Sequence, residues 1–398
     1  MYASPVKQAS GEARGARAGS LGGLDLGLLA AALGLIAVSV YILTMATQDD
    51  VPGSPLYYVV RQAIYGVVGV GLMLGASRLD VSRLREHQRA IYAAMIGSIL
   101  LVLLIGVAAR GSRRWIELPF FRFQPSELGK VLLILALSAF IVDRVRRLGE
   151  RATTGRIVAL ALVPALLVIA EPDLGSGLVY LAITAVLLLV AGTKWTHLAA
   201  LGAMAAAAAV IVLLALPAVG VEVLKPYQVD RLTAFVNPTS DPQRQGYQLR
   251  QSITAIGAGQ KTGRGPAGAT QTRLDFLPEH HTDFVFSVVG EQFGFLGAGL
   301  VLSLYALLLW RALRILTSAK NLYGALVAGG ITAMLMFQVF VNIGMTIGIM
   351  PITGVPLPLM SYGGSSVLVT FLAIGLLQSV SAQARSTDLA KTRELSAA

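Results

Sequence analysis

The 398-residue chain contains no cysteine, which excludes disulfides, thiolate catalysis and cysteine-ligated metals. Charge is scarce as well: Asp, Glu, Lys and Arg make up 13% of residues against 55% hydrophobic, and mean hydropathy is +0.70. So little polar surface cannot cover a soluble globule, and the composition implies a polytopic membrane protein. Acidic residues number 21 against 32 Lys and Arg, for a net charge of +11. In a membrane protein such an excess collects in the loops of one side and against anionic headgroups; it makes no case for nucleic acid.

What the chain does have is apolar runs, at 25–47, 55–76, 89–109, 125–142, 157–171, 174–193, 195–220, 284–310, 322–349 and 363–382. They are continuously apolar rather than alternating, so the expected fold is all-α, with about ten transmembrane helices and no barrel. The basic, Gly/Ala/Ser-rich stretch 1–20 reads as a disordered cytoplasmic tail, 21–382 as a single membrane domain and 383–398 as a cytoplasmic C-terminal tail. No small-residue cleavage site follows the first span closely, so it is expected to be retained. Arg78, Arg83, Arg85 and Arg89, then Arg144, Arg146, Arg147 and Arg151, then Arg311, Arg314 and Lys320 belong to one set of loops, whereas the opposite turns 49–54 and 171–173 are acidic. The positive-inside rule puts the basic loops and both termini in the cytoplasm, with Arg110, Arg113 and Arg114 running against it.

Polar residues gather on the other side, in a long extracytoplasmic loop 221–283 and shorter ones at 110–124 and 350–362. Within FLPEHHTDFVFSVVGEQFGFLG (276–297), Asp283 directly precedes a membrane span. An acid at that boundary is costly unless it caps the helix, as Thr282 or Asp283 can, or does chemistry on a lipid-borne substrate. The neighbouring His280 and His281 point apart, against a helical zinc site; Asp283 and Glu279 suit magnesium shared with substrate phosphates.

In QPSELGK (124–130), Pro125 suits a first helical turn and places Glu127 and Lys130 on one face, where they are expected to pair, either facing a polar cavity or fixing helix packing. Arg61, inside the second span, is expected to snorkel outward. GYQLRQSITAIG (246–257) sets Leu249, Ile253 and Ile256 at helical spacing, an amphipathic helix expected on the membrane surface. GAGQKTGRGPAGATQ (257–271) fits neither phosphate-binding fingerprint and reads as a flexible linker rather than a phosphate cradle. PITGVPLPLMSYGGSS (351–366) should be non-helical and line a cavity.

Taken in order, RWIELPFFRFQPSELGK (114–130), EPDLGSG (171–177), YQVDRLTAFVNP (227–238), GYQLRQSITAIGAG (246–259), LPEHHTDFVFSVVGEQFG (277–294) and PLMSYGGSS (358–366) resemble the SEDS family (shape, elongation, division and sporulation). Its members, RodA and FtsW among them, are bacterial peptidoglycan glycosyltransferases. TGVPLP (353–358) is similar to the elongation, RodA-like branch; the division, FtsW-type polymerase is the alternative. Glu171 departs from the family, where many relatives carry Gln.

The resemblance implies an inverting lipid II glycosyltransferase in the bacterial cytoplasmic membrane, with its active site on the outer face. Asp283 would be the acid essential for polymerisation, as general base or as ligand of a divalent cation such as Mg2+. Glu127, Lys130, Arg114, Trp115, Arg250, Lys261, Tyr362 and Ser365 are the candidate substrate-binding residues, and a class B penicillin-binding protein the implied partner. Since an ordinary aspartate titrates near about 3.9, a base at neutral pH needs partial desolvation. A lipid II flippase is the main rival, although no inverted repeat supports it; a scaffold would not need buried Glu127 and Lys130.

Overall fold

A peptide group in hydrocarbon has no water to bond to, so an apolar run satisfies its backbone by closing on itself as a helix. The computed structural model describes residues 24–48, 50–109, 112–117, 121–220, 226–237, 245–274 and 276–397. Its helices in chain order are α1 (Leu26–Ala46), α2 (Tyr57–Ser77), α3 (Val81–Ile105), α4 (Pro125–Val142), α5 (Arg151–Ala170), the 17-residue α6 (Leu174–Val190), α7 (Trp195–Ala218), α8 (Pro226–Val236), α9 (Gln245–Gly259), α10 (Val285–Ser318), α11 (Leu322–Thr346) and α12 (Gly364–Arg385). Among the described residues, nine of these are long and apolar enough to cross a membrane; α6 is shorter but apolar and occupies the remaining expected place. The expected tail at 1–20 lies outside the described residues. At the other end the last helix continues through the expected C-terminal tail to Ala397.

Burial sorts the helices. In α4, α11 and α12, 78%, 78% and 83% of the apolar window is buried, whereas none of α7 is. Three helices therefore form the centre, and α7 stands apart from it. Its backbone widens into a π-helical segment at Ile211–Ala215, just before Pro217, which has no N–H to continue the regular ladder. At the end of the bundle where α1 begins and α10 finishes, Asp25 pairs with Arg311 at 2.5 Å and exchanges hydrogen bonds with Gln378 of α12. Burial opposes ionisation of that carboxyl, but Arg311 and the Leu28 amide outweigh it and hold Asp25 below its usual range.

Several expectations need correction. The third run was expected to be helical to 109, but α3 ends at Ile105. Gly106 turns extended there (φ −62°, ψ 142°), and β1 (Val107–Ala109) pairs antiparallel with β2 (Ser112–Glu117), which pairs with β3 (Arg122–Phe123). This small sheet gives the backbone partners where the helix stops. α9 is helical as expected, but it packs on protein. Its buried positions are Gly246, Leu249, Ser252, Ala255 and Gly259, while Ile253 of the expected stripe is 44% exposed. Ser252 shares a hydrogen bond with Ser287 of α10 (2.7 Å) and donates to the Thr346 carbonyl (2.7 Å). A row of small residues lets α9 approach closely, which outweighs the coarser apolar spacing.

The glycine-rich segment after α9 is no flexible linker. α10 breaks at Gly294 (φ +63°, ψ −155°), a conformation open to glycine alone, and the freed groups bond across: Phe295 N–H to the Gln260 carbonyl at 2.8 Å and Leu296 N–H to that of Lys261 at 3.1 Å. Buried Glu291 accepts from the Thr272 hydroxyl and from the amides of Gln271 and Thr272, pinning the next turn. α10 also runs past the expected end at 310 to Ser318.

The α2–α12 contact tests the packing. An added Cβ at Gly69 would fall 2.3 Å from the Phe371 ring, whereas at Gly71 it would meet open space. Gly69→Ala should destabilise by about 1–3 kcal/mol, and Gly71→Ala should be neutral or slightly stabilising, read as thermal unfolding in detergent.

Candidate active site

Asp283 sits in a turn, one residue before Phe284, the N-cap of α10. The Thr282 hydroxyl is directed backwards, onto the Glu279 carboxylate and carbonyl, rather than forward into the helix. The backbone on either side of Asp283 is fixed by other elements. Asn342 Nδ2, from α11, donates to the Asp283 carbonyl (3.0 Å) and to that of Val355 (2.8 Å). Ser361 Oγ donates to the Thr282 carbonyl (2.5 Å), and the Tyr362 N–H donates to that of His281 (2.9 Å). The loop 351–362 therefore clasps the acid-bearing turn; it is non-helical as expected, although the end of the expected stretch, 364–366, already belongs to α12.

Gly354 is the point of closest interest. Its φ is +74°, and a Cβ built there would lie 3.6 Å from Asp283 Oδ2 and 3.7 Å from Arg231 Nη2. Carboxylate and guanidinium thus converge on one bare stretch of backbone. Arg231 arrives from α8 and is held by donating Nη1 to the Thr353 carbonyl at 3.0 Å. Sequence reasoning quoted its motif, YQVDRLTAFVNP, without singling it out; Arg231 lies 52 residues before the boundary acid and bonds Thr353 across 122. α6 closes against the same loop, since a Cβ at Gly175 would strike the Thr353 carbonyl at 2.8 Å.

A second polar cluster begins at α4. Glu127 and Lys130 pair as expected, Nζ to Oε1 at 2.5 Å, and are 3% and 1% exposed. Asp173 caps α6 by accepting from the Ser176 amide (3.1 Å) and takes the Gln124 side-chain amide on its other oxygen (3.1 Å). Ser365, in the first turn of α12, accepts from the Gln124 N–H and donates to the Arg122 carbonyl, both 2.9 Å. The loop ending at Ser365 thus joins the Asp283 turn to the Glu127 cluster. Arg114 Nε donates to the Glu171 carbonyl (3.1 Å), and the same guanidinium reaches that of Pro172.

Glu171 itself is 1% exposed, and neither carboxyl oxygen has a hydrogen-bond partner. Burial, with Asp173 nearby, pushes its carboxyl to about 8, against a smaller pull from Arg114. At neutral pH it is mostly a neutral acid, which is how so buried a position tolerates Glu.

The remaining candidates scatter. Tyr362 packs against Tyr58, Tyr65 and His281 and hydrogen-bonds Arg61, so Arg61 turns to the site instead of snorkelling free. Burial raises the Tyr362 hydroxyl above the ordinary phenol range, Arg61 pulling the other way. Trp115 is half-buried in β2, opposite Val107. Arg250 is exposed on α9 and donates to Gly246 of its own helix (3.4 Å), and Lys261 is exposed beside the α10 break, roughly 15 Å along the axis from Asp283 at 1.5 Å per residue.

Asp50, which sequence reasoning passed over, completes a group with His280 and His281 whose possible ligand atoms lie within 4.8 Å of one another. The ring nitrogens of His280 face the carbonyls of Leu277 (3.2 Å) and Ala46 (3.1 Å), and Asp50 Oδ2 is 3.3 Å away. Both ring nitrogens are thus within hydrogen-bond distance of backbone carbonyls. The group is a strut between α1 and the acid-bearing turn.

The family model for cell cycle proteins of the FtsW, RodA and SpoVE type matches residues 24–386. The chain belongs to this family. Among curated relatives, a probable peptidoglycan glycosyltransferase FtsW of Thioalkalivibrio sulfidiphilus is 37% identical, covering 89% of this chain and 88% of the relative. The peptidoglycan glycosyltransferase MrdB of Escherichia coli is 34% identical over 90% of this chain and 93% of its own length. Solved structures agree: a chain of a peptidoglycan synthase complex matches with a TM-score of 0.76 at 32% identity, covering 91% of this chain and 98% of that one. The rod-shape-determining protein RodA of Thermus thermophilus matches at 0.66 and 29%, covering 90% and 96%. The fold expected of a polytopic family member is therefore the fold present.

Two outcomes follow from the buried acids. Lys130→Met alone leaves the Glu127 carboxylate sealed without its partner and should cost about 3–5 kcal/mol, with Glu127→Gln/Lys130→Met recovering much of it in a thermal double-mutant cycle. Glu171 favours the protonated fold, so its stability penalty is absent below about pH 4.5, grows with pH and is complete above about pH 8. Glu171→Gln should raise the unfolding temperature at pH 7–8 and leave it unchanged near pH 4; an equal effect at every pH refutes the titration.

Proposed function

We propose that this chain is a peptidoglycan glycosyltransferase that polymerises lipid II at the end of the bundle where Asp283 stands. The observation that carries the reading is the convergence of Asp283 and Arg231 on Gly354. A carboxylate can take a proton, a guanidinium can hold phosphate oxygens, and a residue without a side chain between them leaves room for a reacting group. The relatives named as peptidoglycan glycosyltransferases supply the substrate class.

In the reaction, the 4-hydroxyl of the acceptor N-acetylglucosamine attacks the anomeric carbon of the donor chain. The new O–C bond forms as the bond from that carbon to the phosphate oxygen breaks, configuration inverts, and undecaprenyl diphosphate leaves with the bonding pair. Asp283 receives the hydroxyl proton. Arg231 neutralises charge building on the diphosphate, a role for which Lys130 is too deeply sealed against Glu127. The donor set suits a divalent cation only as a shared ligand, since Asp283 would offer one carboxylate and substrate phosphates the rest. The cation would supply further positive charge at the leaving group.

Arginines gather at the far end of the bundle, which supports an extracytoplasmic face for Asp283 and cytoplasmic termini. The TGVPLP stretch supports the elongation branch, and the likeness to a synthase complex supports a class B penicillin-binding protein as partner. Purified protein reconstituted with lipid II should form glycan strands, and Asp283→Asn should reduce the rate by at least about 100-fold while lipid II binding persists. Normal chain growth by that variant sinks the proposal; translocation of lipid II across liposomes without polymerisation would favour the flippase instead. Chelation that leaves the wild-type rate intact removes the cation.

A further inference from the structure

A broad groove lies far from Asp283. It holds about 940 Å3 between the start of α3, the end of α4 and the middle of α5. Since α4 starts at the Glu127 cluster, which the loop bearing Ser365 joins to the Asp283 turn, and runs 18 residues, or roughly 27 Å at 1.5 Å per residue, this groove opens at the opposite end of the bundle. Arg85, Arg89, Arg144, Arg146 and Arg147 line its mouth with a single carboxylate, Asp143.

The lining is organised rather than merely basic. Arg85 and Gln88 both bond Asp143, at 2.7 and 2.8 Å, which ties α3 to the end of α4. Arg144 lies over the Phe140 ring, 3.8 Å from its centroid. Arg89, Arg146 and Arg147 have no carboxylate paired with them among the described residues, and all are exposed. Behind this mouth the floor is apolar: Tyr92, Ala136, Leu137, Phe140 and Leu160. Tyr92 spends its hydroxyl on the Leu160 carbonyl at 2.9 Å, so the floor presents ring and hydrocarbon.

A charged rim over a greasy floor between membrane helices matches an amphiphile, not a soluble anion. We propose that this groove seats the phosphate headgroup of an anionic phospholipid, with its acyl chains lying along α3, α4 and α5. Three arginines remain for the phosphate oxygens, and Arg85 is already spent on holding the groove together. The lipid would brace the bundle at the end remote from catalysis.

The test compares Arg89→Gln/Arg146→Gln/Arg147→Gln with a control that removes as many charges at the same end but outside the groove, Arg83→Gln/Arg156→Gln/Arg314→Gln. Full-length protein is taken from vesicles of phosphatidylcholine with phosphatidylglycerol, and lipid retained per protein is read by native mass spectrometry. Wild type and control should keep phosphatidylglycerol through delipidation, and the groove variant should keep at least about tenfold less. If the groove variant does not fold, Arg89→Gln alone is read the same way and should show a smaller loss in the same direction. Equal retention by the groove variant, or equal loss in the control, overturns the proposal. In a thermal-shift arm, phosphatidylglycerol should stabilise the wild type more than inorganic phosphate does; equal stabilisation by phosphate would assign the groove to a soluble anion and overturn the lipid.

Discussion

Carbonyl groups that leave a helix inside a membrane protein must find a donor within the protein, and this one requirement builds the site. The loop 351–362 and the turn before α10 are irregular, and side chains projecting from the spans answer them. Asn342 serves the carbonyls of Asp283 and Val355, Ser39 that of Met360, Gln62 that of Ser361, and Tyr305 that of Pro358. These buried polar residues on α1, α2, α10 and α11 would otherwise be liabilities among apolar neighbours. Each is matched to one peptide group of the loop or turn, and Asn342 to two.

Such matching explains why Asp283 is held so firmly while its side chain stays half-exposed. The peptide units of His281, Thr282 and Asp283 are each fixed by a different donor, and Asp50 with His280 braces the turn against α1 from behind. In the proposed reaction, a group placed this way costs no reorganisation as the proton is transferred. Gly354 completes the arrangement, because its left-handed backbone carries the loop past Asp283 and Arg231, both of which a side chain there would contact. Ser365 and Gln124 then carry the rigidity across to the second cluster.

The spans were legible in the sequence because hydrocarbon demands long apolar runs, and Asp283 and the Glu127–Lys130 pair because local spacing alone fixes a boundary position and a helical face. What was hidden depends on distance along the chain. Arg231 beside Asp283, Asp50 beside His280, and Gln124 on Asp173 are contacts between segments that no periodicity relates. The glycine-rich stretch 257–271 misled for a further reason. Its composition is that of a mobile linker, yet the break at Gly294 exposes backbone groups that only an equally unhindered segment can approach closely enough to satisfy. α9 misled in a related way, since an apolar stripe with helical spacing was present but the seam runs along its smaller residues.

The acids near the site are handled in ways that separate support from chemistry. Glu127 is sealed with a lysine, Asp173 is consumed by a helix cap and a Gln side chain, and Glu171, which has neither, avoids its charge by keeping a proton. Each solution removes the carboxyl from reaction with anything arriving from outside: the first two by tying it to fixed partners, the third by burial so complete that no oxygen meets a partner. Asp283 is handled differently. Its backbone carries the bonds that fix it in place, its side chain is half-exposed, and a guanidinium rather than a lysine lies across a bare backbone gap from it. Its fixed main chain and half-exposed side chain are the physical ground on which the proposed function assigns the chemistry to this acid and not to the more deeply buried ones.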